Sequence, residues 1–207
     1  MSSRLLVLGT RNHKKVEELL PLLEPHGFEL KSLAEFPNSL EVDETGDSFG
    51  ANAALKATLQ ARQLNAWVLG EDSGLAVDAL GGAPGIYSAR FSGEGANDAK
   101  NNACLLAKLS GGPLEKRTAH YVCHATLSDP AGNVRAEAED ICCGRILFTE
   151  SGKGGFGYDP LFEIPEYHKT FGELGPAVKA VLSHRSRAIR ALVPKIILLC
   201  NSGGWPE

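Results

Sequence analysis

The chain has no apolar run near the ~20 residues that a membrane-spanning helix needs, which argues against a helical membrane anchor. It has no surplus of basic charge: 21 lysines and arginines stand against 25 aspartates and glutamates, a formal net charge of −4. Phosphate neutralisation supplies most of the affinity of nucleic-acid-binding proteins. This balance therefore argues against a nucleic-acid partner, with only a local basic cleft left open. Cysteines are few and odd in number, five in 207 residues. That excludes a fully paired disulfide framework and favours reduced thiols in the cytoplasm. Cys142-Cys143 lacks the C-x-x-C spacing of a redox pair, and Gly152-Lys153 is followed by glycine, so no Walker A loop exists. Residues 1–3 are expected to lead directly into a strand, without the pattern of a secretory signal. No internal repeat or low-complexity tract is visible.

What is there reads as alternating strands and helices. Apolar residues make up 43% of the chain, enough for a sizeable core. Residues 5–8 (Leu-Leu-Val-Leu) suit a strand buried on both faces. Val16, Leu19, Leu20 and Leu23 then fall on one face of a helix, with Pro21 expected to kink or shorten it. A second strand follows over residues 28–32 and a helix from 47 or 48 to 64. Residues 67–69 form another buried strand, expected to end at the turn-like run Gly70-Glu71-Asp72-Ser73-Gly74 and to resume over 75–80. A helix covers 97–109. Residues 118–128 and 134–143 form a hairpin around Asp129-Pro130-Ala131-Gly132-Asn133. The last helix starts near Ser183, a good N-cap, with Pro194 as an expected kink. The pattern predicts an α/β fold with a mixed sheet.

Five clusters concentrate polar chemistry. Thr10, Arg11, Asn12, His13, Lys14 and Lys15 lie where a buried strand turns into a helix. Free N–H groups and a partial positive charge there favour phosphate, although plain capping by Asn12 accounts for the same residues. Glu44, Glu71 and Asp72 offer hard oxygen ligands suited to magnesium. Neighbours on a strand point to opposite faces, so at most one of Glu71 and Asp72 aims squarely at a metal unless the strand twists or bulges there. Asp-Ser-Gly is also ordinary turn chemistry. Ser48, Asn52 and Lys56 share a helix face, which is either solvated or turned towards the acidic run.

The run Gly152-Lys153-Gly154-Gly155-Phe156-Gly157-Tyr158-Asp159-Pro160 contains G-x-G-x-x-G. No helix opens after it, so it is not read as a dinucleotide fingerprint. It is instead a loop whose Phe156 and Tyr158 rings can stack on a base and whose Asp159 can accept from base N–H groups; a simple linker is the alternative. Ser183-His184-Arg185, with Lys179 before it, supplies donors at a helix start, where basic residues oppose the helix dipole. His120, Cys123 and His124 mimic metal-ligand spacing, but on a strand Cys123 points away from the two histidines.

Taken together, these clusters resemble the inosine triphosphate pyrophosphatase family of non-standard purine nucleotide pyrophosphatases, over residues 5–192. The family's T-G-N-x-x-K is similar to Thr10-Arg11-Asn12-His13-Lys14-Lys15. Its E-T-G matches Glu44-Thr45-Gly46, and its E-N-A-x-x-K-A resembles Ala51-Asn52-Ala53-Ala54-Leu55-Lys56-Ala57. D-D-S-G-L is close to Glu71-Asp72-Ser73-Gly74-Leu75. G-G-x-P-G-x-Y-S-A-R runs from Gly81 to Arg90, G-F-G-Y-D-P from Gly155 to Pro160, and S-H-R from Ser183 to Arg185. Two positions depart: Arg11 stands for glycine, a poor fit if φ is positive there, and Glu71 stands for aspartate.

The resemblance implies a mixed β-sheet with flanking helices, one domain over 1–207 in two lobes around a central nucleotide cleft, and a cytoplasmic homodimer. It implies hydrolysis of ITP, dITP and XTP to monophosphate and pyrophosphate, which keeps them out of DNA and RNA. Residues 10–15 and Lys56 would hold the triphosphate. Glu44 and Asp72 would hold Mg2+, with Glu71 in support, and Asp72 would orient or deprotonate the attacking water. Ser73, Phe156, Gly157, Tyr158, Asp159, Lys179, His184 and Arg185 would complete the substrate site. Phe156 would stack on the purine, Asp159 face ring N–H groups, and His184 and Arg185 donate to the 6-keto oxygen. A pyrophosphatase for another nucleotide, a non-catalytic nucleotide-binding protein and a nucleic-acid module are the competing readings.

Overall fold

The computed structural model describes residues 4–205. The lead of residues 1–3 into the first strand lies outside them. Seven strands form one sheet in the order β2-β1-β3-β4-β5-β6-β7. β1 (Arg4–Leu8) pairs in parallel with β2 (Phe28–Ser32) and with β3 (Trp67–Val77). β6 (Phe162–Ile164) is antiparallel to β5 (Val134–Ile146) and to the two-residue β7 (Lys169–Thr170). The sheet is thus mixed, as the pattern of strands predicts.

The chain divides into two compact units. The first comprises Met1–Asp72, Cys123–Asp140 and Arg185–Glu207. Its apolar core joins Leu6, Leu8, Leu19, Leu69, Leu127, Ile189, Leu192 and Ile196. Helices α1 (His13–Leu23), α2 (Phe49–Leu64) and α5 (His184–Asn201) belong to it or begin at its edge. Ser48 caps α2 by accepting from Ala51 N at 3.2 Å, as its residue type suggests. The second unit, Ser73–Val122 with Ile141–His184, packs Leu75, Leu105, Tyr121, Tyr158, Phe162 and Phe171 together. It holds α3 (Asp98–Lys108), capped by Asn97, and α4 (Phe171–Leu182). β4 (Thr118–Ser128) neighbours β5, and the turn between them closes with Asp129 N donating to Asn133 O at 3.0 Å.

Two expectations are corrected. β3 does not stop at Gly70; it runs unbroken through Glu71-Asp72-Ser73-Gly74, because charged partners and not water satisfy the two carboxylates. Pro21 lies inside α1, which continues two residues past it to Leu23, and Pro194 lies inside α5, which runs on to Asn201. The Ser48-Asn52-Lys56 face is not a solvated one; Asn52 is fully buried and Lys56 half-buried, both towards β3. The sequence reading also omits α4, β6 and β7.

Candidate functional site

In the first unit, β1 delivers the loop of residues 9–12 against β3. Gly9 N donates to Leu69 O at 2.8 Å. A Cβ there would lie 2.9 Å from that oxygen, so a side chain has no room. Asn12 caps α1, its Oδ1 accepting from Lys14 N at 3.0 Å and Lys15 N at 3.4 Å, while Thr10 Oγ1 accepts from Asn12 N at 3.1 Å. His13 pairs with Glu17 at 3.2 Å on the exposed side, and Lys14 is exposed. Arg11 donates to Ser39 O at 2.9 Å and to Ser39 Oγ at 2.6 Å. Among the described residues, the only non-glycines with positive φ are Asn65 and His168. Arg11 therefore carries none of the left-handed strain that its place in a glycine position raises.

β3 splits its two acids between opposite sides. Glu71 is almost fully buried and meets Lys15 Nζ at 2.5 Å and Arg185 Nε at 3.2 Å; Cys123 Sγ–H donates to it at 3.4 Å. Arg185 is itself buried and also pairs with Glu18. Burial alone would raise the Glu71 carboxyl, but Arg185 and Lys15 hold it well below the usual carboxylate range. The same contacts, outweighing desolvation, make Arg185 more basic still. Burial and the Glu71 charge push the Cys123 thiol up, so it stays protonated.

Asp72 faces α2. Lys56 Nζ donates to Asp72 Oδ1 at 2.8 Å, to Glu44 Oε1 at 2.6 Å and to the Glu71 carbonyl at 3.3 Å. Asn52 Nδ2 donates to Asp72 Oδ2 at 3.3 Å, and Asn52 Oδ1 accepts from Gly46 N at 2.8 Å, which ties the Glu44 loop to the same face. The close approach depends on Gly70, where a Cβ would sit 2.6 Å from Ala53 O. Burial raises the Asp72 carboxyl above its usual range; Lys56 opposes that and the Glu44 charge adds to it. Lys56 is more basic than usual, because the two carboxylates outweigh desolvation. Glu44 and Asp72 thus converge on one cation. Among the described residues no three His, Cys, Asp or Glu side chains gather. Two hard carboxylates would suit a hard divalent cation such as magnesium, which commonly takes one or two carboxylates together with substrate phosphates.

The second unit gathers Phe156, Asp159, Lys179 and His184. Asp159 Oδ2 accepts from Lys179 Nζ at 2.5 Å and from Phe156 N at 2.9 Å, and Oδ1 accepts from Tyr121 O–H at 3.3 Å. Lys179 Nζ also lies 4.4 Å from the centre of the Phe156 ring, a cation–π contact. Tyr121 stacks on His184 at 4.6 Å and 11°. Gly157 takes φ 62° and donates to Asp98 Oδ2 at 2.9 Å. Tyr158 is a core residue: it is buried and its hydroxyl donates to Ser88 O at 2.8 Å, and burial raises its phenol well above the usual range. Ser73 follows Asp72 in β3, half-buried. His120 lies 3.9 Å from Asp78, while His124 stands 3.2 Å from Glu139.

The structure thus brings together Glu44, Lys56 and Asp72, then Lys15, Glu71 and Arg185, then Phe156, Asp159, Lys179 and His184. Arg185 sits with Glu18 and Glu71. Sequence reasoning misses Glu18 and Tyr121. Glu18 lacks any motif; Tyr121 was legible only as an inward residue of an alternating strand.

An α/β sheet carrying carboxylates beside half-buried lysines suits the handling of phosphoanhydrides. The chain belongs to the Ham1 family, whose model matches residues 6–195. It is 55% identical over 197 residues to the dITP/XTP pyrophosphatase of Rhodopirellula baltica, with 95% of each chain covered. Its fold is similar to that of a HAM1 protein from Coxiella burnetii, with TM-score 0.84, 32% identity, and 94% and 98% of the two chains covered. It also resembles a nucleoside-triphosphatase / dITP/XTP pyrophosphatase from Mycobacterium abscessus, with TM-score 0.74, 42% identity, and 93% and 99% covered.

Proposed function

We propose that this chain hydrolyses non-standard purine nucleoside triphosphates (ITP, dITP and XTP) to the monophosphate and pyrophosphate, with magnesium, and so keeps those bases out of DNA and RNA. The observation that carries the reading is the convergence of Glu44 and Asp72 on Lys56 Nζ at 2.6 and 2.8 Å. The 55% identity to a dITP/XTP pyrophosphatase supports the substrate class. Glu44 and Asp72 are the residues that would hold magnesium. Bound there, it supplies charge neutralisation on the phosphate oxygens and acidifies a water.

The chain's own residues do the rest. Lys15 and Lys56 carry positive charge to the triphosphate, and residues 10–14 line its approach. Asp72 orients water towards the α-phosphorus and takes its proton. The new P–O bond forms as the α–β anhydride bond breaks, and pyrophosphate leaves. An ordinary aspartate at pKa ~3.9 is a weak base; the upward shift at Asp72 favours the transfer. Phe156 stacks on the purine, Asp159 accepts from its N–H groups and His184 donates to the 6-keto oxygen. Arg185 takes part through Glu71 and Glu18, the partners that fix it. Adenine presents an amino group where the keto oxygen would be, and facing donors cost about 1–3 kcal/mol.

The resemblance also carries a homodimer and a cytoplasmic location; a solution mass twice 22.0 kDa tests the first. No helix among the described residues is long and apolar enough to cross a membrane.

The decisive experiment measures pyrophosphate released with magnesium from ITP, XTP, GTP, ATP and dUTP, beside Asp72→Asn. Release from ITP and XTP, lowered about 10²- to 10⁴-fold in the variant, is expected for a lost general base. Equal release from all five sinks the base-reading part, and no release from any sinks the enzyme reading.

A further inference from the structure

We propose that Tyr121 is a specificity-positioning residue, which locks the two polar side chains that read the purine edge, Asp159 and His184, into one arrangement. The inference rests on the base-reading roles given to those two residues above.

Tyr121 lies in the middle of β4 and is 7% exposed. An inward tyrosine is usually core packing, and its ring does pack at 4.6 Å against Phe162. Two contacts exceed that role. The ring face lies on the His184 imidazole at 4.6 Å and 11°. Stacking this close to parallel fixes the plane of the imidazole, and therefore the direction in which a ring N–H points. The phenol oxygen donates to Asp159 Oδ1 at 3.3 Å.

Asp159 Oδ2 is taken by the Lys179 ammonium at 2.5 Å and the Phe156 amide at 2.9 Å. The Tyr121 hydroxyl adds a contact on the other oxygen, so the carboxylate is held at both ends. A carboxylate oxygen has two lone-pair sites. The one given to Tyr121 fixes where that oxygen lies. An acceptor in a fixed place suits a purine with N1–H, as in hypoxanthine and xanthine, and repels adenine, whose N1 is itself an acceptor. One side chain thus sets both halves of the readout: the acceptor for the ring N–H and the donor for the 6-keto oxygen.

Tyr121→Phe removes the hydroxyl and keeps the stack; Tyr121→Leu removes both. For each variant, kcat and KM are measured for ITP and ATP with magnesium, with calorimetric binding of IMP and of pyrophosphate. For Tyr121→Phe, KM for ITP rises and IMP affinity falls about tenfold, the size of one charge-assisted hydrogen bond. Pyrophosphate binding stays within twofold, and the ITP-over-ATP ratio of kcat/KM falls. Tyr121→Leu loses more on the same quantities. An unchanged ITP-over-ATP ratio and IMP affinity in Tyr121→Phe overturns the proposal, and so does equal loss of IMP and pyrophosphate binding, which marks a packing role. A wild-type chain that fails to hydrolyse ITP overturns the functional reading itself, a result separable from either.

Discussion

Glu71 and Asp72 are neighbours with the same charge and opposite surroundings. Two cations hold Glu71 ionised in the core, whereas burial and Glu44 leave Asp72 the more basic of the two. The strand's alternation sends one acid towards Lys15 and Arg185 and the other towards Lys56. Lys15 and Arg185 thus take up the Glu71 charge, while Lys56 meets Glu44 and Asp72. Glu71→Gln leaves Arg185 with a neutral partner in a site that is 2% exposed. Breaking a buried pair costs about 3–5 kcal/mol, so a clear loss of denaturation midpoint in urea is expected. An unchanged midpoint would mean that Arg185 relies on Glu18 alone. The motif residues were legible because each carries charge or a hydroxyl at a recognisable spacing. Their partners were not: Glu18 is one glutamate among many in a helix, and only three-dimensional contact reveals that it meets Arg185.

The β4–β5 hairpin shows how a turn composition becomes stability. Asp129 Oδ1 accepts from Asn133 N at 2.9 Å and Asp129 Oδ2 from Arg135 Nη1 at 3.1 Å. Burial works against the charged form, yet the Asn133 amide and Arg135 bring the Asp129 carboxyl below its usual value. A depressed folded pKa contributes stability above the unfolded pKa, and that contribution is lost as pH falls through the folded value. Asp129→Asn is thus expected to be less stable than wild type at pH 7, with the gap closing below about pH 4. Thermal melts at several pH values check this, and a gap that persists at low pH refutes it. This hairpin, α2 and α3 were readable because caps and turn formers bracket regular periods. α4 was not, since Gly175 (φ 75°, ψ 171°) and Pro176 interrupt its apolar rhythm. β6 and β7 are too short, at three and two residues, to show alternation. β3 reads as two pieces in the sequence because Asp-Ser-Gly signals a turn wherever the aspartate lacks a buried partner.

The first unit is assembled from three separate stretches of chain, the last beginning at Arg185. That stretch brings Ile189, Leu192, Val193 and Ile196 into the core. It also stacks Trp205 on Trp67 at 4.3 Å and 13°. A chain ending at residue 184 is expected to lose the near-ultraviolet circular dichroism of that tryptophan pair and to melt without a sharp transition. A truncated chain that keeps a cooperative melt would show that the remaining core suffices. The resemblance pointed to an α/β fold in two lobes, but which stretches make up each unit was not legible, because the contacts that define them join residues far apart in the chain. Arg185 stands 114 residues after Glu71 and 167 after Glu18. At about 5–20 residues per second, a ribosome adds Arg185 roughly 6–23 s after Glu71. For that interval the nascent chain holds Glu71 and Glu18 without Arg185, beside an apolar surface still lacking its last helix. A stalled or prematurely ended message would therefore yield a product open to chaperones and proteases, although nearly every recognisable motif had already been made.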